Sequence, residues 1–462
     1  MRVITSSIVA GLVGLVGCGS HKQGSGGNGD GMPPDTCSGP SCDSSGCRAM
    51  GKPDTTITGT VFAPNGTLPL YGITVYVPAG DPGPFTDGAQ CTRCTESLPG
   101  NPIVATITDE AGHFVLAGIP SGDRIPVVIT SGKWRRRLVI PYVDACTEHP
   151  LPPADTTLPG DRTQGDLPRI AITTGMADSL ECLVRKLGIA DTEITTDQHT
   201  GHVHLYAGML GKDRFKVGFP GGSGQQFSDA RTLWGNLDKM KQYDIVMFSC
   251  EGAPYAETKP QAAMTAVKAY ADLGGRLFAS HWHNVWIEGA YDPSQTQRPA
   301  VWPAIARWTN NDAELPAHSS SRIDELANPK GWSFATWMMN IGGSMVRGHI
   351  ELADQLPDPQ THEVVSTGRT TCSAVDPTKA ERWVYLPDIL GGGTQNFQFT
   401  TPNEAAVDQR CGKVVFSDMH VSGTSGDGDY PDSCGPSKEL TSQEKALAFM
   451  FFDIASCVSV LF

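Results

Sequence analysis

The stretch that decides the fold runs from Gln242 to Trp286 and reads QYDIVMFSCEG, then KPQAAMTAVKAYADLGG, then RLFASHWHNVW. It contains two short apolar runs, Asp244–Phe248 and Arg276–Ala279. The segment between them has apolar residues at helical spacing, namely Met264, Val267, Tyr270 and Ala271. The pattern predicts strand, helix, strand. If the two strands are parallel, their polar tips share one edge of the sheet, which is where open α/β sheets bind ligands.

The same alternation extends on both sides of this stretch. Strands are predicted at 169–173, 202–206 and 412–420, and helices follow Thr174 and precede Tyr243. Asp178–Glu181 and Thr441–Glu444 have the spacing of capping boxes, the second opening a final apolar helix. Residues 167–462 are therefore predicted to form a three-layer α/β domain with a doubly wound parallel sheet, the flavodoxin-like architecture.

Residues 55–150 have a different period. Short runs rich in β-branched residues, such as Ile73–Val77 and Ile125–Ile129, are separated by turn sequences such as Pro64-Asn65-Gly66. This pattern predicts an antiparallel β-sandwich. Residues 151–166 are rich in Pro, Gly and charge and are predicted to link the sandwich to the α/β domain, so the chain is expected to be multidomain.

The N-terminus indicates export. Residues 1–17 combine Arg2 with a short apolar core, which is typical of a signal peptide. The core ends in Leu15-Val16-Gly17-Cys18, which resembles a bacterial lipobox and implies acylation of Cys18; the alternative is an ordinary secretory signal. Residues 18–54 read as a flexible tether. We expect a lipid-anchored protein of the bacterial cell envelope, at the outer membrane, with the lipid bilayer as one partner.

Charge and cysteine content limit the function further. A formal net charge of −14 without a basic domain argues against nucleic acid as a partner. Apart from Cys18, twelve cysteines remain, and in an exported chain they are expected to form disulfides of unknown pairing. Disulfides are also favoured over half a zinc site for Cys91 and Cys94, because no matching second ligand pair follows them.

One motif in the sandwich region resembles a known family. The stretch TDEAGHFVLAGIPSG, residues 108–122, is similar to the central motif of carboxypeptidase regulatory-like domains. The positions that carry this resemblance are Asp109, Gly112, Phe114, Leu116, Pro120 and Gly122. The resemblance covers about ninety residues and implies a transthyretin-like sandwich that serves as an accessory or binding module.

The α/β region resembles another family. YDIVMFSCEG, LGGRLFASHWH and GKVVFSDMH are similar to strand ends of class I glutamine amidotransferase-like domains, and most of all of the ThuA-like group. The two-domain layout also resembles a myxobacterial-type secreted lipoprotein family. In catalytic amidotransferases the nucleophilic Cys follows the strand that matches Arg276–Ala279. Here that turn is Ser280-His281-Trp282-His283, and Cys250 lies one strand earlier, so glutamine hydrolysis is not expected.

Several polar residues are nevertheless expected at the carboxyl edge of this sheet. As catalytic candidates we take Glu251, His281 and His420, a carboxylate and two imidazoles suited to acid–base chemistry. Candidate ligand-binding residues are Cys250, Trp282, His283 and Asp418. Independent structural roles, a polar ligand pocket and a metal site remain as alternatives, and neither a metal nor a cofactor is predicted. Trp282 and Trp286 suit sugar stacking, although core packing is favoured.

Two functions follow from this pattern. The favoured one is a non-catalytic envelope protein that binds a glycan, a peptide or an envelope partner. The alternative is a hydrolase or lyase that acts on a carbohydrate-like substrate through Glu251, His281 and His420. Fold resemblance alone does not decide between them.

Overall fold

The structure is a computed structural model. It describes residues 45–94, 96–289, 299–302, 304–309, 313, 315–354, 365–421, 428–435 and 438–458. The predicted signal peptide, Cys18 and most of the predicted tether therefore lie outside the described residues. The described residues form several sheets and a smaller number of helices, which is consistent with the expected multidomain chain.

The N-terminal part of the described chain contains two small sheets. Its strands are β1 (Thr56–Thr60), β2 (Thr74–Pro78), β3 (Pro102–Ile107), β4 (His113–Ala117), β5 (Gly122–Ser131), β6 (Trp134–Val143) and β7 (Glu148–Pro150). One sheet has the order β4-β1-β7 and the other β3-β2-β5-β6. All pairs are antiparallel except β1 with β7.

A single large sheet dominates the rest of the chain. Strands in this region are β8 (Ile170–Thr173), β9 (Ile194–Thr195), β10 (Val203–Ala207), β11 (Ser228–Asp229), β12 (Ile245–Phe248), β13 (Arg276–Ser280), β14 (Ala306–Trp308), β15 (Leu315–Pro316), β16 (Ser320–Ile323), β17 (His349–Glu351), β18 (Val365–Ser366), β19 (Cys372–Val375), β20 (Glu381–Tyr385), β21 (Thr394–Thr401) and β22 (Gly412–Ser417). The large sheet has the order β11-β10-β8-β12-β13-β22-β21-β20-β16-β17, with β9 beside β10.

The sheet changes direction at β22. From β11 to β22 all neighbours are parallel, as the sequence predicts. From β22 to β17 they are antiparallel; the sequence predicts a strand at Glu381–Tyr385, which is β20, but not the antiparallel pairing. β14 pairs with β19, and β15 with β18, in separate two-stranded ladders.

Both faces of the parallel half are covered. On β12, Ile245 and Met247 belong to one apolar core, and Val246 and Phe248 to the other. This two-sided burial explains why the strand is a continuous apolar run rather than an alternating one. The helices of the described chain are α1 (Ser45–Ala49), α2 (Pro153–Thr156), α3 (Leu180–Lys186), α4 (Arg231–Trp234), α5 (Leu237–Met240), α6 (Gln261–Asp272), α7 (Val285–Glu288), α8 (Gly331–Asn340) and α9 (Ser442–Ala455).

The two predicted capping boxes have different outcomes. At α9, the Thr441 side chain accepts a hydrogen bond from the Glu444 backbone N–H, and the Glu444 carboxylate accepts one from the Thr441 N–H, so this prediction is confirmed. At α3 the prediction is wrong. Ser179 is the residue before the helix, it makes no side-chain cap, and the Asp178 carboxylate is engaged elsewhere.

The small sheets pack against the final helix. The Trp134 ring lies 5.7 Å from the ring of Phe451 and 5.2 Å from that of Phe452, so β6 and α9 share one apolar core. Two disulfides join the segment between β2 and β3 to the large-sheet part of the chain, Cys91–Cys411 and Cys94–Cys457. Two more connect Cys47 with Cys146 and Cys182 with Cys434, which confirms the expected disulfides for eight cysteines.

In the part of the chain that the structure describes, no helix combines the length and the apolar composition needed to cross a bilayer.

Candidate functional site

The candidate site lies at the carboxyl ends of three neighbouring parallel strands. Cys250 follows β12, His281 follows β13, and His420 follows β22. Because these strands are adjacent and parallel, their tips meet at one edge of the sheet, as the sequence predicts. All three side chains are buried.

The three residues form a compact cluster. The Cys250 Sγ lies 3.3 Å from Nδ1 of His281, within hydrogen-bonding reach. The rings of His281 and His420 lie 5.0 Å apart, edge to face. One sulfur or nitrogen atom from each residue lies within 4.8 Å of the other two. The structure thus places a thiol and two imidazoles in contact.

Backbone contacts hold this cluster in position. His281 has a φ of 41°, an unusual value for a non-glycine residue, and it opens a 3₁₀ turn over His281–Asn284. The Gly252 N–H points at the Cys250 sulfur from 3.4 Å, and the Ala177 N–H donates to the Cys250 carbonyl at 3.0 Å. The Gln443 amide donates to the His420 carbonyl. The turns that carry Cys250 and His420 are therefore tied to neighbouring segments.

Burial and positive neighbours keep both imidazoles neutral. Burial, together with His420, Arg369 and His283, holds the pKa of His281 well below its usual value. Burial and Arg369 lower the pKa of His420 to about 3. At neutral pH each ring therefore carries one nitrogen lone pair.

The predicted acid–base carboxylate, Glu251, does not join this cluster. Its Oε2 lies 2.6 Å from Nζ of Lys259, and its Oε1 accepts a hydrogen bond of 2.8 Å from the Met209 backbone N–H. Both members of the ion pair are buried. Burial lowers the pKa of Lys259, and the Glu251 charge opposes that shift. Both carboxylate oxygens are thus engaged within the protein.

The neighbouring aromatic residues are mainly part of the core. Nε2 of His283 lies 3.0 Å from the Ser249 carbonyl, and the Trp286 indole N–H donates to its Nδ1 at 2.9 Å. The His283 ring therefore has a fixed tautomer. Trp286 is buried against Phe248, whereas Trp282 is half-buried beside the His281 ring.

Asp418 points away from the histidines. Its carboxylate accepts hydrogen bonds from the Thr371 hydroxyl at 2.5 Å and from the Cys372 backbone N–H at 3.1 Å. Burial raises its pKa to about 7 in spite of these donors. Through these hydrogen bonds the Asp418 carboxylate holds β19 beside the end of β22.

Sequence reasoning missed two buried groups at this edge. The Asp178 carboxylate accepts from the Ser280 hydroxyl at 2.5 Å and from the Val421 N–H at 2.7 Å, and so joins the ends of β13 and β22. Burial raises its pKa to about 7. The other missed group is Lys259. The sequence next to Asp178 and Lys259 does not indicate these roles. Each role depends on a partner that is brought into contact only by the fold.

Two cavities of the described surface lie away from this cluster. One of about 520 Å³ surrounds Arg382 and Arg410, and a second of about 520 Å³ surrounds Arg185 and Cys434. The thiol–imidazole cluster is a buried feature of the fold.

Comparisons with known proteins identify no family. No family model matches the chain, and no curated protein matches it. Similar solved structures include a cytoplasmic protein from Salmonella typhimurium, with 11% identity, a TM-score of 0.30, and coverage of 62% of this chain and 99% of that one. They also include a putative ThuA-like protein from Bacteroides uniformis, with 13% identity, a TM-score of 0.28, and coverage of 62% and 90%.

A further similarity concerns a smaller part of the chain. It is to a type II cohesin–X-dockerin complex from Acetivibrio cellulolyticus, with 15% identity, a TM-score of 0.15, and coverage of 32% of this chain and 80% of that one. TM-scores this low assign neither a fold family nor an activity to the chain.

Proposed function

We propose that this chain is an exported protein of the bacterial cell envelope that binds a carbohydrate partner without hydrolysing it, anchored through an acylated Cys18. The observation that carries the non-hydrolytic part is the buried ion pair between Glu251 and Lys259. A carboxylate that is held by a lysine and a backbone N–H is not placed to exchange a proton with a substrate. The hydrolase or lyase alternative depends on that carboxylate.

The elbow after β13 supports the same proposal. In the order β10-β8-β12-β13-β22, β10 lies on one side of β8, and the later strands β12, β13 and β22 follow on the other side. This order is consistent with a flavodoxin-like, amidotransferase-like domain. At the turn where that resemblance places a nucleophilic cysteine, His281 has the left-handed backbone. An imidazole at this position supports an amidotransferase-like domain that does not hydrolyse glutamine.

The disulfides support export. Cys91–Cys411 and Cys94–Cys457 join segments 320 and 363 residues apart. Such bonds persist in oxidising compartments, and the periplasm and the cell surface are two of these. The membrane anchor itself rests on the lipobox sequence ending at Cys18.

An exposed aromatic surface on α8 supports a carbohydrate as the partner. The Trp332 side chain is 58% exposed, and the Arg347 guanidinium lies 5.0 Å from its ring centre. Arg347 also pairs with Glu325 at 2.7 Å, so an indole lies beside charged hydrogen-bonding groups. Aromatic faces next to polar groups suit sugar rings, which offer apolar C–H faces and hydroxyls together.

Sedimentation with insoluble glycans tests the binding. The purified exported chain is mixed with peptidoglycan sacculi, chitin or cellulose, and the bound fraction is measured. We expect one of these to retain the chain, and Trp332→Ala to weaken retention at least about tenfold, or about 1.4 kcal/mol. Tyr142→Ala, at another exposed aromatic residue, is the matched control. Equal retention of the two variants, or no retention by any glycan, contradicts carbohydrate binding at this surface.

Two further measurements test the rest of the proposal. Release of reducing sugar that is lost in Glu251→Gln would establish the hydrolase alternative instead. Labelling with radioactive palmitate is expected for the parent chain and not for Cys18→Ala. Unchanged labelling of the variant would discard the anchor.

A further inference from the structure

Cys250, His281 and His420 have the chemistry and the spacing of metal ligands. They follow β12, β13 and β22, which are adjacent in the sheet, so three rigid strands present them at one point. A zinc ion bound at about 2.3 Å from sulfur and about 2.0–2.1 Å from nitrogen has ligand atoms about 3.3–3.6 Å apart in tetrahedral geometry. The Sγ–Nδ1 separation of Cys250 and His281 is already 3.3 Å.

The third ligand has an atom that needs a partner. Nε2 of His420 is buried and has no hydrogen-bond partner among the described residues. A buried ring nitrogen in this state costs free energy unless something binds it. With all three ligand atoms within 4.8 Å of one another, a small rotation of the imidazoles brings them around a single ion.

The ligand set also selects the kind of metal. The carboxylates nearby are engaged elsewhere, Glu251 with Lys259 and Asp418 with Thr371 and Cys372. What remains is one sulfur and two imidazole nitrogens, which Ca²⁺ and Mg²⁺ do not favour. Thiolate and imidazole together suit zinc and copper. The Gly252 N–H at the sulfur favours the thiolate that such an ion requires.

We propose that Cys250, His281 and His420 form a buried site for one borderline-soft transition-metal ion, zinc or copper. Three protein ligands leave a fourth position for a water molecule in the case of Zn²⁺, whereas Cu⁺ is satisfied by three. The proposal is independent of carbohydrate binding, since the α8 surface contributes no ligand. Its ligands differ from the predicted catalytic residues Glu251, His281 and His420 in one member, because the Cys250 thiol takes the place of the Glu251 carboxylate.

The direct test is metal content and coordination in the folded, disulfide-bonded chain. The chain is stripped with a chelator, loaded separately with Zn²⁺ or with Cu⁺ under argon, desalted and analysed by mass spectrometry of the elements. We expect about one ion per chain, and the arm with the tighter retention identifies the metal. X-ray absorption of the loaded parent chain should show one sulfur and two imidazole nitrogens. A shell made of oxygen and nitrogen alone overturns the site, as does loading below about 0.1 ion per chain.

Substitution with a matched control locates the ion. Co²⁺ is used as a probe, because a cobalt–thiolate bond gives an intense near-ultraviolet absorption band. We expect the band in the parent chain and in Cys372→Ser, which removes the other buried thiol, but not in Cys250→Ser. His420→Gln should weaken metal retention at least about tenfold. A band that persists in Cys250→Ser overturns the proposal, and the absorption data on the parent chain remain decisive if a variant fails to fold.

Discussion

The Nζ of Lys259 lies 2.6 Å from Oε2 of Glu251, and both side chains are buried. Removing one member of such a pair leaves an uncompensated charge in a low-dielectric environment, which typically costs about 3–5 kcal/mol. We therefore expect Lys259→Met to lower the free energy of unfolding by about that amount. The double variant Lys259→Met, Glu251→Gln should lose less than Lys259→Met alone. Urea denaturation followed by tryptophan fluorescence measures both.

A second lysine supplies the control for this prediction. Lys268 pairs with Asp272 at 2.7 Å on the partly exposed side of α6. Lys268→Met should cost no more than about 1 kcal/mol, since exposed ion pairs contribute little. If Lys259→Met costs no more than the control, the buried charge is compensated in another way, and the argument that Glu251 is held in place fails.

The sequence located the edge of the sheet but not the partners within it. Apolar runs such as Ile245–Phe248 are long enough to identify strands, and the polar residues after them must then lie at strand ends. The pairing of Glu251 with Lys259 depends on a turn over Ala256–Thr258 that returns the lysine to the carboxylate. No local pattern encodes that return, so the carboxylate was assigned to the cluster and Cys250 was assigned a lesser role.

The antiparallel half of the sheet shows a different limit. β16 is short and lies in a region where Trp, Asn and Pro interrupt any period. β21 is buried along its whole length yet reads TQNFQFTT, which is polar by composition. Gln398 of this strand donates to the Glu381 carboxylate of β20, a partner that the fold supplies and the local sequence does not indicate. Hydrophobic periodicity does not detect such strands.

Disulfide Cys94–Cys457 holds the segment before β3 against the chain end after α9. Cys91–Cys411 already closes most of the 363-residue loop in the unfolded chain, so removing Cys94–Cys457 should cost about 2 kcal/mol, the lower end of the range for native disulfides. We expect Cys94→Ser with Cys457→Ser to lower the free energy of unfolding by about that amount. A non-reducing peptide map should recover this pair in the parent chain. Recovery of Cys94 linked to Cys91 would contradict the pairing.

The capping box of α9 gives a smaller and more local prediction. The Thr441 hydroxyl accepts from the Glu444 N–H at 3.2 Å, and losing such a cap typically costs about 1 kcal/mol. Thr441→Ala should lower the free energy of unfolding by about 1 kcal/mol. Ser442→Ala, one position into the helix, should change it by less than about 0.5 kcal/mol. Equal effects in urea denaturation would show that the cap does not stabilise α9.

Glu181 and Asp178 make stability depend on pH. Burial raises the pKa of Glu181 to about 8, from 4.5, and the Asp178 charge adds to that shift. Below its unfolded pKa this carboxyl is neutral in both the folded and the unfolded chain, so it does not weaken the fold. As the pH rises towards the folded pKa, the unfolded chain ionises first and is stabilised relative to the folded chain. The free energy of unfolding should therefore decrease between about pH 4.5 and pH 8 as a result of Glu181. Glu181→Gln removes that titration and keeps the side-chain volume.

We therefore expect Glu181→Gln to stabilise the chain relative to the parent by roughly 1–3 kcal/mol more at pH 8 than at pH 5. Glu257→Gln is the matched control, because it removes the same charge from an exposed position in the turn Ala256–Thr258 and should give nearly equal differences at the two pH values. Urea denaturation of all three proteins at both pH values measures the effect. A pH-independent difference for Glu181→Gln would mean that this carboxylate is already ionised in the folded chain, a form that the Lys212 charge favours.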